Sequence, residues 1–281
     1  MLRFKNLSSG STGNATLVEA GAGSGSVGTT RLLVDCGLGV QRLIAALDAA
    51  GVMPTEIDAI FITHEHGDHL GCVTQFASRY SIPVWASSGT HAALRDMRNK
   101  QEARQQARQT KQTTLAPDFD DLVRIAQDTC AVNLGELQFT PFTVPHDARE
   151  PLQLSCTDGA SKLGILTDLG HASRHVLEQL AMCHALLLEC NHDTEMLANS
   201  SYPAFLKSRV GGDFGHLSNA AAADILTSLH HPGLRHVAAA HLSQQNNRPE
   251  LVQNCLASVL GCLPTDVLIA TADQGTPWLA V

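Results

Sequence analysis

Aromatic side chains are scarce in this sequence: two Trp, two Tyr and eight Phe among 281 residues. So thin a supply excludes an extended platform on which many bases stack. Charge is sparse too, at 16%, and 19 Lys and Arg against 27 Asp and Glu leave a net −8. A surface that grips polyanions indiscriminately is thereby excluded. No uninterrupted apolar run approaches the roughly 18–20 residues that cross a bilayer, so no membrane partner is expected. The opening MLRFKNLSSGSTGN has no apolar core behind its basic residues, which predicts no secretory leader. No C-x-x-C pair occurs among the eight cysteines. In a chain of this length they read as reduced thiols of a cytoplasmic protein.

What is present is a chain that is 44% hydrophobic, enough to bury a sizeable core over residues 1–281 as one domain. Short apolar runs predict strands at Thr16–Glu19, Arg31–Val34, Asp58–Thr63, Pro83–Ala86, Leu137–Val144, Lys162–Thr167, Ala185–Glu189, His236–Ala240 and Asp266–Ala270. Helical periodicity separates many of them, over Gln41–Ala50, Gly71–Tyr80, His91–Lys111, Arg174–Ala181, Asn219–His230 and Pro249–Gly261. Gly21–Gly28 reads as a hairpin loop, and Ala131–Val144 as two strands joined by a tight turn at Gly135-Glu136. The alternation predicts α/β (α+β) layers with a mixed sheet. One segment departs from the acidic average. Arg95–Lys111 has six basic residues against two acidic ones, a local +4 in an exposed helical segment around 91–112.

Histidine is the abundant exception, with 14 copies. The densest group is Thr63-His64-Glu65-His66-Gly67-Asp68-His69, directly after an apolar strand. Four potential ligands so close in sequence surround a metal at little loop-closure cost. It is not the H-E-x-x-H pattern, because position 68 is Asp. His64 and His66 can turn toward one ion from an extended backbone, while Asp68 and His69 leave the turn in another direction and suit a second. One loop cannot complete two metal shells. Further polar residues stand where apolar strands end: Asp35, His146-Asp147, Asp168 and His241. Together they describe an active site along one edge of a sheet sandwich.

The order Asp35, His64-x-His66-x-Asp68-His69, His146, Asp168, His241 resembles the signature of metallo-β-lactamase-fold hydrolases. Three further segments, Ser8–Asn14, Leu188–Asp193 and Gly215–Asn219, together with His241–Asn247, narrow the resemblance to the YycJ (WalJ) subgroup, regarded as bacterial DNA-directed exonucleases. The resemblance implies a four-layer αββα sandwich with a dimetal site at one edge of the two sheets. His64, His66 and His146 would hold one divalent ion, and Asp68, His69 and His241 the second, with Asp168 bridging. Zn or Mn, or else Fe, suits such imidazole and carboxylate donors. A hydroxide shared by the metals would attack the scissile bond. Asp35 has no vacancy in that scheme and is expected to orient the histidine loop from behind. His216 is the expected proton donor, with Glu189 orienting it and Asp68 completing the catalytic set. Ser11, Asn14, Asn191 and His192 are candidate substrate contacts.

The function these features imply is a two-metal phosphodiesterase, a 5′-to-3′ exonuclease with DNA favoured over RNA as substrate. The histidine loop alone equally fits a small-molecule thioester or lactone hydrolase of the glyoxalase-II kind. Such proteins usually append a helical substrate domain, whereas here the tail reads as the closing strand of the core. A diiron redox module on the same fold usually places Glu where this chain has His66.

Overall fold

A computed structural model describes residues 1–21, 28–107 and 119–281, and for 101–107 the backbone only. Most of the Gly21–Gly28 loop and the end of the basic segment lie outside the described residues. Two seven-stranded sheets carry the chain. The first contains β1 (Leu2–Ser8), β2 (Ala15–Ala20), β3 (Thr30–Val34), β4 (Ala59–Phe61), β5 (Val84–Ala86) and β6 (Val123–Ile125). The second contains β7 (Val132–Leu134), β8 (Leu137–Thr143), β9 (Leu152–Thr157), β10 (Lys162–Leu166), β11 (Ala185–Glu189), β12 (His236–Ala240) and β13 (Leu268–Ile269). Their orders are β14-β1-β2-β3-β4-β5-β6, closed by β14 (Leu279–Ala280), and β13-β12-β11-β10-β9-β8-β7.

Strand side chains alternate between faces, and here both faces are apolar. Leu32 and Val34 of β3 and Ala59 and Phe61 of β4 face the other sheet, where Phe139, Leu154, Ile165 and Leu187 meet them. The intervening Leu33 and Ile60 point outward. There they meet Leu43 and Leu47 of α1 (Val40–Ala49). The helices α2 (Gly67–Leu70), α3 (Val73–Tyr80), α4 (Ser88–Ala107) and α5 (Phe119–Leu122) follow on the same half, and Phe76, Leu94 and Phe119 join that core. The second sheet is covered likewise by α6 (Arg174–Leu180), α9 (Asn219–Leu229) and α10 (Pro249–Leu260), through Leu180, Leu226 and Leu256. Two short helices, α7 (Thr194–Asn199) and α8 (Ala204–Val210), bridge β11 to α9. The result is the expected αββα sandwich.

Strand direction decides where the chemistry collects. In the first sheet β1 and β3 are both antiparallel to β2, and β4 is parallel to β3. In the second, β8 and β10 are both antiparallel to β9, and β11 and β12 are parallel to β10. The carboxyl ends of β8, β10, β11 and β12 therefore share one edge. His146, Asp168 and His241 stand just beyond those ends, and Glu189 is the last residue of β11.

Several elements differ from the sequence expectation. β1 hides behind Arg3 and Lys5, which occupy its half-buried positions. β9 is entirely buried up to its last residue but carries Gln153 and Ser155, so its apolar pattern is broken. The Gln153 amide is satisfied inside, donating to the Thr167 carbonyl at 2.6 Å. The Asp266–Ala270 strand shrinks to Leu268–Ile269, because Pro264–Asp266 closes a 3-10 turn. The helix expected from Gly71 starts at Val73, since Gly71 takes φ 35° and separates α2 from α3. Among the described residues no helix is long and apolar enough to cross a membrane.

Candidate metal centre

The loop after β4 is fixed from behind by a buried carboxylate. Asp35 Oδ1 accepts from the Thr63 amide at 2.9 Å, and Oδ2 lies 2.7 Å from His69 Nδ1. The Thr63 hydroxyl also contacts His64 Nδ1 at 3.0 Å. Gly37 lets the loop approach β3: a Cβ there would overlap the Asp68 carbonyl. Asn14 fastens the next residue along, its amide donating to Asp68 Oδ2 at 3.2 Å.

The second sheet supplies the other half. Glu189 Oε1 accepts from His216 Nδ1 and from His241 Nδ1, both at 2.9 Å, and Oε2 accepts from the Leu217 amide at 3.0 Å. His146 Nδ1 donates to the Gly215 carbonyl at 3.1 Å. Ring orientation is thus set at Nδ1 in His64, His69, His146 and His241, which leaves Nε2 of each for the centre. His66 is the looser member, 30% exposed, with Nδ1 3.3 Å from His146 Nε2.

The donor atoms fall into four compact groups: His64, His66 and His146; Asp68, His69 and His241; His64, His69 and Asp168; and Asp168, Glu189, His216 and His241. Asp168 lies between the two halves, Oδ2 3.1 Å from His69 Nε2 and Oδ1 3.4 Å from His241 Nδ1. Burying so many polar groups without a cation would be costly, since each needs a partner. His64 Nε2 is buried with none, and Asp168 Oδ2, although 3.1 Å from His69 Nε2, makes no well-aligned hydrogen bond. Those orphaned atoms and the imidazole–carboxylate donor set fit a divalent metal.

Electrostatics follows the same geometry. Burial opposes the charge on Asp168, yet His241 and His69 beside it hold its carboxyl well below the usual range. Burial opposes ionisation of Glu189 too, but His216 and His241 hold it down at about 2. Burial likewise disfavours charge on His241, and Asp168, Asp68 and Glu189 override it, raising it to about 10. Burial pushes His64 well below its ordinary value, and the neighbouring His69 adds to that.

Three of these residues sit in the left-handed backbone region: Asp35 at φ 64°, Asp168 at 54° and His241 at 55°. That conformation costs non-glycine residues energy and persists where surrounding contacts hold it. Here they do: the Asp35 amide donates to the Phe61 carbonyl at 2.8 Å, and the His241 amide to Ser9 Oγ at 2.7 Å.

A pocket of about 380 Å³ opens over the donors, with His66, Asp68, Asp168, His216 and His241 in its walls. Ser11 and Asn191 also line it. Asn14 and His192 do not; both are buried, and the Asn14 amide is committed to Asp68. Ser218 is the N-cap of α9, accepting from the Ala221 amide at 3.1 Å. At the rim stand Ser243 and Asn246, from the His241–Asn247 segment, and residues that the sequence did not single out: Tyr202, Leu206 and Arg209. Arg209 Nε donates to Asp147 Oδ2 at 2.6 Å. The signal for Thr63 was within reach, because it opens the histidine motif. Nothing in the 200–210 stretch announced Tyr202 or Arg209.

Residues 30–240 match the beta-lactamase superfamily domain. The chain belongs to that superfamily. Among curated proteins of the superfamily it is 30% identical to Exodeoxyribonuclease YycJ of Bacillus anthracis, over 92% of this chain and 89% of that one. It is 28% identical to Exodeoxyribonuclease WalJ of Streptococcus pneumoniae serotype 2, over 92% and 88%. The fold is shared with the metallo-beta-lactamase fold protein YhfI of Bacillus subtilis, at TM-score 0.67 and 17% identity over the whole of both chains. With this membership and the donor cluster together, the chain is a metal-dependent hydrolase.

Proposed function

We propose that this protein is a two-metal phosphodiesterase that removes nucleotides from DNA in the 5′-to-3′ direction. His64, His66 and His146 would hold one divalent ion, and Asp68, His69 and His241 the other. Asp168 would touch both, and Asp35 would fix His69 from behind. Zn or Mn suits these donors, and Fe is compatible with them. When bound, such a pair supplies a water-derived nucleophile near neutral pH and offsets charge on the phosphate.

The observation that carries the reading is the His216–Glu189 pair. Glu189 is fully buried and takes His216 Nδ1 at 2.9 Å, so Nε2 is the ring nitrogen left for the pocket. Burial works against a charged imidazole at this position, but Glu189 outweighs it and raises the pKa. His216 is therefore held as a proton donor beside the donor cluster. A departing sugar alkoxide needs that proton far more than a departing thiolate does. Phosphodiester cleavage thus explains a group that thioester hydrolysis leaves idle. Similarity to two exodeoxyribonucleases over nine-tenths of the chain supports DNA as the polymer. On the basic helix α4, Arg98 is already paired with Asp120 at 2.8 Å.

The test is digestion of 5′- and 3′-labelled single and double strands by protein loaded with Zn or Mn, beside S-lactoylglutathione. Mononucleotide release from the 5′ end is expected. Turnover of the thioester with no cleavage of any phosphodiester would overturn the reading. Substituting His216→Ala should slow cleavage by about a hundredfold or more while both metals stay bound.

A further inference from the structure

Six of the eight phenylalanines are buried, and the two that are not, Phe205 at 74% and Phe214 at 60% exposure, are each chain neighbours of residues that line the pocket. Their placement is specific. Phe205 lies on α8, whose neighbouring residues Leu206, Arg209 and Val210 line the pocket, as does Tyr202 just before it. Residues four apart on a helix share a face, so Phe205 stands beside Arg209 at the rim. Phe214 immediately precedes Gly215 and His216, both pocket-lining. Its carbonyl accepts from the Asp147 amide at 3.0 Å, and the Asp147 carboxylate holds Arg209 at 2.6 Å. Arg209, in the pocket wall, is thus tied through Asp147 to the main chain of Phe214 and is one helical turn from Phe205.

Water contact with two large apolar rings is unfavourable. A chain poor in aromatics nevertheless keeps two of them in water at the entrance to a phosphate-directed site. Purine and pyrimidine faces stack on such rings without regard to sequence, while a nearby guanidinium suits the backbone. We propose that Phe205 and Phe214 stack the bases flanking the scissile phosphodiester of a single-stranded end, with Arg209 beside the backbone between them. The proposal rests on the phosphodiesterase reading and adds how the substrate is gripped. It also accounts for binding of a polyanion by an acidic protein: the grip comes from ring stacking at the mouth and needs no broad basic surface.

The test compares a 5′-labelled single-stranded DNA oligonucleotide with the same oligonucleotide carrying abasic sugars at its first three positions. Phe205→Ala and Phe214→Ala should each raise KM for the full oligonucleotide by about five- to a hundredfold, on the scale of one lost stack. Neither should change kcat/KM for the abasic substrate by more than about twofold, since that substrate has nothing to stack. Phe→Trp at either position should restore the KM, and Phe→Leu, apolar but not aromatic, should not. Equal losses on both substrates, or an unchanged KM on the full oligonucleotide, would overturn the stacking role. So would a change of oligomeric state in the Ala variants by light scattering, which would make these rings a contact between copies. Failure of the unaltered protein on both oligonucleotides would instead sink the phosphodiesterase reading, and this proposal with it.

Discussion

The two donor triads adjoin beneath one pocket but are supported differently. Behind His69 and His241 stand the carboxylates of Asp35 and Glu189, and the Asn14 side-chain amide donates to Asp68. Behind His64 and His146 stand a hydroxyl and a main-chain carbonyl, and His66 is partly open to solvent. A carboxylate behind a ligating imidazole raises its basicity and fixes its ring, which strengthens a metal site. The two proposed sites would therefore differ in strength through what stands behind their ligands as well as through the ligands themselves. The weaker one, on this argument, is the all-histidine triad.

The comparison can be broken most sharply at Asp168, which belongs to both halves. Asp168→Asn removes the charge but keeps a residue that tolerates φ 54°, so the fold should survive by circular dichroism. Turnover should fall by about a thousandfold or more, at the upper end for loss of an electrostatic stabiliser. A variant retaining more than a tenth of the activity would show that Asp168 is not shared. Next comes Asp35→Ala, which should weaken metal binding at the Asp68, His69 and His241 triad by about ten- to a hundredfold. Because His69 would lose a buried partner, stability should also drop, by about 3 kcal/mol in denaturant unfolding. In the unaltered protein, a chromogenic chelator should strip one metal ahead of the other, and Asp35→Ala should merge or reverse those two phases. A single phase before substitution would erase the proposed inequality. The smallest effect belongs to Asn14→Ala. Losing its hydrogen bonds to Asp68 and to the Gly10 amide should cost about 1 kcal/mol of stability and shift the metal affinity only a few-fold. A hundredfold loss of metal would mean that Asn14 holds the ion itself.

Much of this arrangement was legible in the residues. Apolar runs located the strands that carry Asp35, His64, His146, Asp168, Glu189 and His241, because a doubly covered strand must be apolar on both faces. Which ligands meet was legible only through the family resemblance, since spacing along the chain does not fix neighbours between sheets. What stayed hidden has a common cause. Gln153 and Ser155 of β9 are polar residues buried inside the fold, which periodicity counts as surface, and Asn14, named as a substrate contact, is buried and bonded to Asp68. The short α8 has no fully buried residue and so left no amphipathic trace, yet it brings Arg209 to the rim.

The left-handed backbone at Asp35, Asp168 and His241 also bears on how relatives of this chain should be read. Asp, Asn, His and Gly are the residue types that tolerate such φ values best, so backbone and chemistry select the same letters at these three positions. A descendant that had lost its metals would still be pressed by geometry to keep one of those letters there. Retention at 35, 168 or 241 is thus a weak witness of a living enzyme. His64, His66 and His146, whose backbone makes no such demand, are the positions at which decay of function would show first.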